Sequence, residues 1–243
     1  LKLFVLNAAK AIHNAELKEK LMQKEKLSAV GKAVSMMMHD LRSPIKNIKV
    51  LTDMMRPELP ENEYLDMIDE CGVQASEILE DFMDFIKETP VKKLPVNVER
   101  IIEEGIKLAE ARNTNGKVTI NKNIPANLVV GGDESKLKRT IMNLVNNAID
   151  ALLDHKIVEP RIDISAVADE KLNRVIITIR DNGLGIPNDI IKTLFDPFVT
   201  KQKANGTGLG LAIVKQYITA HGGEIKVGND TGAVFTISLP LYQ

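Results

Sequence analysis

One cysteine, Cys71, is all the thiol the sequence holds, so neither an internal disulfide framework nor a thiolate metal cluster is open to it. As a small residue in a helical pattern, Cys71 is expected to be buried. No apolar run comes near the ~18 residues that a membrane span requires, and no signal peptide is visible. Charge of one sign is also missing: 32 Lys and Arg face 33 Asp and Glu, a formal net charge of -1. This removes the electrostatic case for nucleic acid, and no Lys/Arg run suits a membrane surface. Cysteine usage of this kind fits a reducing, cytoplasmic setting. What is present is a globular balance of 44% apolar and 27% charged residues over 243 positions, enough for one large or two modest domains.

The first ninety residues have few strand signals and a helical repeat. Leu27, Val34, Leu41 and Ile48 recur at seven, with Val30, Met37 and Leu51 in a complementary seam. Two prolines in M-M-R-P-E-L-P-E (54–61) predict a break. A second helix follows, in which Ile68, Ala75 and Phe82 repeat at seven beside a row of Leu65, Gly72, Leu79 and Ile86, ending at Thr89-Pro90. Such a hairpin cannot bury both apolar stripes alone, and pairing into a homodimeric four-helix bundle is the expected remedy. A helix from Leu1 to Asp53 would run about 80 Å, so its start is expected to extend as a connecting coiled coil. The chain opens at Leu1 inside a helical pattern rather than at Met, and an upstream part is therefore expected to precede it.

Past Val91 the texture changes. Strand-like runs at 118–121, 161–167, 174–180, 224–227 and 233–239 alternate with helical patterns at Val98–Arg112, Glu134–Leu153 and Leu209–His221. This predicts an α/β or α+β domain whose helices pack on one face of a mixed sheet, with Pro90 to Pro95 as linker.

Several stretches carry chemistry. In D-N-G-L-G-I-P (181–187), Asp181 ends a strand, and Gly183 and Gly185 let the backbone turn close to a ligand. A strand-end carboxylate can accept a hydrogen bond from an exocyclic amine such as that of adenine; an ordinary Asn-Gly turn is the plain alternative. In N-G-T-G-L-G-L (205–211), Gly206, Gly208 and Gly210 stand at the start of a helix, where free amides suit phosphate, although no G-K-[ST] follows. On the helix N-L-V-N-N-A-I-D (143–150), Asn143 and Asn147 share one face, onto which Asp150 also projects, and an Asn carbonyl is a fit ligand for Mg²⁺. Finally, in M-M-M-H-D-L-R-S-P (36–44), the heptad places His39 away from the seam. A largely neutral imidazole there is a candidate nucleophile, Asp40 a candidate base, and Ser43 a hydroxyl one turn on. Pro44 permits a bend just below His39.

Taken in order, these stretches resemble the motifs of a bacterial sensor histidine kinase, from about Ser28 to Leu239. H-D-L-R-S-P is similar to its phosphoacceptor box, N-L-V-N-N-A to the N box, D-N-G-L-G-I-P to the first glycine box, L-F-D-P-F to the F box and G-T-G-L-G-L to the second glycine box. The resemblance implies an α+β chain: a signalling coiled coil (1–27), a dimerisation and histidine-phosphotransfer hairpin (28–89), a linker (90–95) and a Bergerat-type ATP-binding catalytic domain (96–243). It implies that His39 takes the γ-phosphoryl group of ATP with Asp40 as general base. Asn147 would hold Mg²⁺ beside Asn143, and Asp181 would bind the adenine amine. Gly183, Gly185, Gly206, Thr207, Gly208, Leu209 and Gly210 would shape the cleft and its lid, with Phe195 and Phe198 as lid anchors and Lys201 or Lys203 near phosphate. Implied partners are a second copy of the chain, a response-regulator receiver domain that takes the phosphoryl group on an aspartate, and an upstream sensor domain. Where relatives more often have Thr or Asn, this sequence has Ser43, the group on which phosphatase activity toward the regulator would depend. Gyrase-like, mismatch-repair and chaperone ATPases share the ATP fold, but they need a glutamate on the N-box helix, where this sequence offers Asn143. A dimeric scaffold that senses nucleotide without phosphotransfer is the non-enzymatic rival.

Overall fold

The computed structural model describes residues 41–86, 90–110, 113, 116–199 and 207–242. The chain divides into two units, Leu1–Glu88 and Thr89–Gln243.

In the first unit, helix α1 covers 41–55 and helix α2 covers Glu63–Ile86, separated by the turns around Pro57 and Pro60. Asn62 starts α2 as its cap, its Oδ1 accepting from the amides of Tyr64 (3.0 Å) and Leu65 (3.2 Å). Glu63 and Asp66 in the first turn favour the same end through the helix dipole. The two helices run antiparallel, with Lys49 reaching Asp69 at 3.0 Å and Arg56 reaching Asp66 at 2.7 Å. Leu65, Gly72, Leu79 and Met83 form the buried face of α2, and Gly72 stands opposite Ile48. The row of Leu65, Gly72 and Leu79 is thus the one turned inward, while Ile48, Leu51 and Ile68 remain exposed in a single chain. The expected burial of Cys71 does not hold, for the thiol is exposed. It stands on the flank of α2, lining a shallow apolar groove with Ile48, Tyr64, Met67, Ile68 and Ala75.

The second unit is built on a five-stranded mixed sheet. Its strands are β2 (Thr119–Asn123), β4 (Arg161–Asp169), β5 (Arg174–Asp181), β6 (Glu224–Asn229) and β7 (Ala233–Pro240), in the order β2-β4-β5-β7-β6. Only the β2–β4 pair is parallel; the other neighbours are antiparallel. Strict alternation along β5 and β7 buries Val175, Ile177 and Ile179 on one strand and Ala233, Phe235, Ile237 and Leu239 on the other. Against this apolar layer pack α3 (Val98–Ala109), α4 (Glu134–Asp154) and α5 (Gly210–Ala220), whose own buried residues recur at helical spacing.

Two strands were not expected from the sequence. Leu94–Asn97 (β1) pairs antiparallel with Val129–Gly132 (β3), so Leu94 and Pro95 belong to this unit rather than to a linker ending at Pro95. A proline that cannot donate is tolerated because β1 is an edge strand, and the short V-V-G-G run offers too little alternation to announce itself. Asn97 then caps α3 by accepting from the Arg100 amide at 2.9 Å.

His221, at the C-cap of α5, is 1% exposed and ties α5 to the start of α4. Its Nε2 accepts from the Asp133 amide at 2.9 Å, which leaves the ring proton on Nδ1, 2.7 Å from the Tyr217 carbonyl. Burial holds its pKa below the ordinary 6.5, and Lys136 and Lys93 add to this while the Tyr217 carbonyl and Asp133 oppose it. The unfolded chain therefore binds the proton first. Stability from the neutral ring is complete above about pH 6.5 and is lost as pH falls toward the lower folded value. His221→Ala should cost about 3 kcal/mol at pH 7.5 in urea denaturation, and the gap to the wild type should narrow at pH 5.5. A gap unchanged with pH would contradict this role.

Candidate nucleotide site

Asp181 continues the inward row of Val175, Ile177 and Ile179, so the strand places a carboxylate where the pattern otherwise demands an apolar side chain. It is 6% exposed. Its Oδ1 accepts from the amides of Gly183 at 2.9 Å and Ala233 at 3.1 Å. Oδ2 has no protein donor among the described residues and is the atom left to recognise a ligand. Burial pushes the carboxyl above the usual carboxylate range, and the two amide donors offset part of that rise.

Gly185 holds a left-handed backbone, φ 74°. Asn182 does not face the site. Its amide accepts from the Arg161 backbone (2.7 Å) and donates to the Glu159 carbonyl (3.0 Å), closing the β4–β5 end of the sheet.

Helix α4 joins this loop to the second glycine stretch. Near its C-terminal end, Leu152 packs beside Gly183. Two turns earlier, Asn143 donates from Nδ2 to the Gly210 carbonyl at 3.3 Å, so the N-terminal end of α5 is fastened to the N-box face. Asn147 and Asp150 lie half-buried further along that face. Asn146 keeps Oδ1 buried without a hydrogen-bond donor, the kind of atom that a ligand or water satisfies. Leu209, the N-cap residue of α5, makes no side-chain cap hydrogen bond, and Thr207 Oγ1 accepts from the Leu209 amide at 3.2 Å. A helix start with glycines at 208 and 210 has the backbone N–H groups that suit anionic oxygen.

Phe195 meets Phe235 edge to face, with ring centroids 6.5 Å apart, and Lys215 of α5 lies over the Phe195 ring, 5.8 Å from its centroid. It is thus fixed to both the sheet and α5. Phe198 differs: its side chain is 63% exposed and its backbone is left-handed, φ 65°, an uncommon state for a bulky residue. Its amide donates to the Gly208 carbonyl at 3.0 Å, so a main-chain bond joins the two ends of the expected lid. Ser43 is exposed on α1. His39, Asp40, Lys201, Lys203 and Gly206 lie outside the described residues.

Three residues at this site were not singled out from the sequence. Gly232 lies against Asp181, and a Cβ there would stand 2.6 Å from Asp181 Oδ1 and 2.7 Å from the Gly183 nitrogen. Ala233 supplies one of the two amides on Asp181, and Asn229 reaches the glycine loop. A glycine placed one residue ahead of the alternating run A-V-F-T-I-S-L was the available signal.

The fold and this site define an ATPase-type α/β sandwich. Residues 132–243 match the family model described as histidine kinase-, DNA gyrase B-, and HSP90-like ATPase, and residues 29–90 match the His Kinase A (phospho-acceptor) domain. Together the two matches place the chain among the histidine kinases, a phospho-acceptor domain joined to their ATPase domain. It is 32% identical over 237 residues to the sensor histidine kinase ZraS of Salmonella typhimurium, covering 93% of this chain and 49% of that protein. With sporulation kinase A of Bacillus subtilis it shares 31% identity over 231 residues, covering 93% of this chain and 37% of that one. The chain thus spans half or less of the curated relatives named here. Among solved structures, full-length ShkA in complex with AMPPNP has a TM-score of 0.71 at 23% identity, covering 87% of this chain and 46% of that one, a likeness of fold. The mycobacterial sensor histidine kinase MprB has a TM-score of 0.54 at 26% identity, covering 61% and 97%.

Proposed function

We propose that this chain is the autokinase core of a sensor histidine kinase, which phosphorylates His39 from ATP and passes the phosphoryl group to an aspartate of a response-regulator receiver domain. The observation that carries the reading is Asp181: a buried carboxylate ending an apolar strand row, one oxygen held by two amides and the other left for an exocyclic amine. Adenine offers that amine, whereas guanine presents an oxygen at the same place. The N-terminal end of α5, fastened to Asn143, suits the phosphates. Asn147 on the same face would hold Mg²⁺, which supplies charge neutralisation on the phosphate oxygens when bound.

In this reading His39 attacks the γ-phosphorus in line. The new N–P bond forms as the bond to the β,γ-bridging oxygen breaks and ADP leaves, and Asp40 accepts the imidazole proton. Catalysis of such a transfer is chiefly positioning, so the chain's work is to bring the ring and the phosphate within about 3–3.5 Å. Exposed Ile48, Leu51 and Ile68 support a homodimeric bundle as the form in which the hairpin acts. Ser43, exposed on α1, would position water for dephosphorylating the regulator. Among the described residues no helix is long and apolar enough to cross a membrane, and we place this core in the cytoplasm, following an upstream sensor domain.

Incubation with γ-labelled ATP and Mg²⁺ tests the reading. The protein should acquire label that survives base, is lost in acid and moves to a cognate receiver domain. Release of inorganic phosphate without protein-bound label would instead favour the clamp-type ATPases that share this fold.

A further inference from the structure

The turn between β6 and β7 and the strand ends that flank it make a series of side-chain links to the stretch 180–186, beyond the main-chain pairing of β5 with β7. Arg180 pairs with Asp230. Ala233 donates its amide to Asp181 Oδ1 at 3.1 Å. Asn229 does more: its Oδ1 accepts from the Ile186 amide at 2.8 Å while its Nδ2 donates to the Ile186 carbonyl at 2.7 Å. One side-chain amide thereby satisfies both main-chain groups of one residue, as a neighbouring strand would. Asn229 is also the register partner of Ala233. A closed circuit results, running from Asp181 through Gly183 to Ile186, across to Asn229, over to Ala233 and back to Asp181. Gly185 is drawn so close that a Cβ on it would stand 2.9 Å from Asn229 Oδ1.

We propose that Asn229 is a positioning residue for nucleotide recognition: by clamping Ile186 it fixes the loop that carries Gly183 and Gly185, and so sets how strictly Asp181 prefers an adenine to a guanine base. The inference rests on the reading of Asp181 given above. Without the clamp, the Gly183 amide is no longer held on Oδ1, and the carboxylate gains freedom to turn toward other donors. Affinity for the correct base falls, and discrimination falls with it, because rejection of the wrong base depends on polar groups that cannot rearrange. Neither effect touches the phosphates at α5, so the rate at saturating nucleotide is preserved.

Calorimetric titration of the whole chain with ATP and with GTP, alongside autophosphorylation at saturating ATP, tests this. Asn229→Ala should weaken ATP about tenfold, equivalent to the loss of two exposed hydrogen bonds, and GTP about twofold or less. The saturated rate should stay within about twofold of wild type. Asn229→Gln, which keeps one donor and one acceptor, should recover part of the ATP affinity, whereas Asn229→Asp, which turns an oxygen toward the Ile186 carbonyl, should not. An unchanged ATP-to-GTP ratio in Asn229→Ala overturns the proposal, whether both affinities are kept or both fall equally with a lowered melting temperature. Failure of the wild type itself to bind ATP would instead refute the nucleotide reading on which it rests.

Discussion

Asp181→Asn should lower ATP affinity by about 100-fold or more while leaving the melting temperature unchanged or higher. An asparagine keeps an oxygen for the Gly183 and Ala233 amides, so the strand end stays as it is. If that oxygen stays on the amides, the second position changes from acceptor to donor, and the adenine amine then meets an NH₂ group. The stability half follows from the direction of the pKa shift. Burial raises the folded pKa above the ordinary 3.8, so folding opposes ionisation of this group. Its favourable contribution is complete below about pH 3.8 and is lost as pH rises through the folded value. At pH 7.5 the native carboxylate is therefore a burden that the amide lifts. Isothermal titration and thermal melts on the same preparation decide the matter; binding retained together with a melting point several degrees lower would mean that Asp181 serves the fold rather than the ligand.

His39→Ala should reduce protein-bound phosphoryl label to background while nucleotide affinity remains within about twofold of wild type. An alanine offers no lone pair, and none of the other histidines, His13, His155 and His221, stands in a comparable sequence motif; His221 is buried with both ring nitrogens engaged. Phosphotransfer to the receiver should disappear with it. Label persisting on the variant with the same acid lability would place the acceptor elsewhere. Because His39→Ala lacks the acceptor and Asp181→Asn lacks the nucleotide, mixed dimers of the two add a further readout. Label reappearing in the mixture would show that one subunit phosphorylates its partner, since neither variant can modify itself.

The sequence announced α4, α5, β4, β5 and β7 because each carries a sustained period: two in the strands, near 3.6 in the helices. It announced Asp181 for the same reason in reverse, as the polar residue that ends the row of Val175, Ile177 and Ile179. β1 and β3 were silent because a proline and a pair of glycines mask runs that are strands only through pairing with each other. The contributions of Asn229, Gly232 and Ala233 were silent for a different reason. Ala233 reaches Asp181 across 52 residues of sequence, and only the register of β5 on β7 brings the two together. The main-chain bond from Phe198 to Gly208 was silent as well, because it depends on how the chain folds back across the intervening stretch. Cys71 was misplaced because helical periodicity gives a row but not which of two neighbouring rows turns inward.

Both protein donors to Asp181 are main-chain amides, and the backbone beside them at Gly232 has no room for any larger residue. Substituting a nearby side chain removes neither N–H group itself, although loss of the Asn229 clamp would let the Gly183 amide drift, and a larger residue at Gly232 is closed by collision. An inhibitor whose amine engages the remaining oxygen of that carboxylate would accordingly meet a surface with few single-codon escape routes, and resistance would have to arise elsewhere in the molecule.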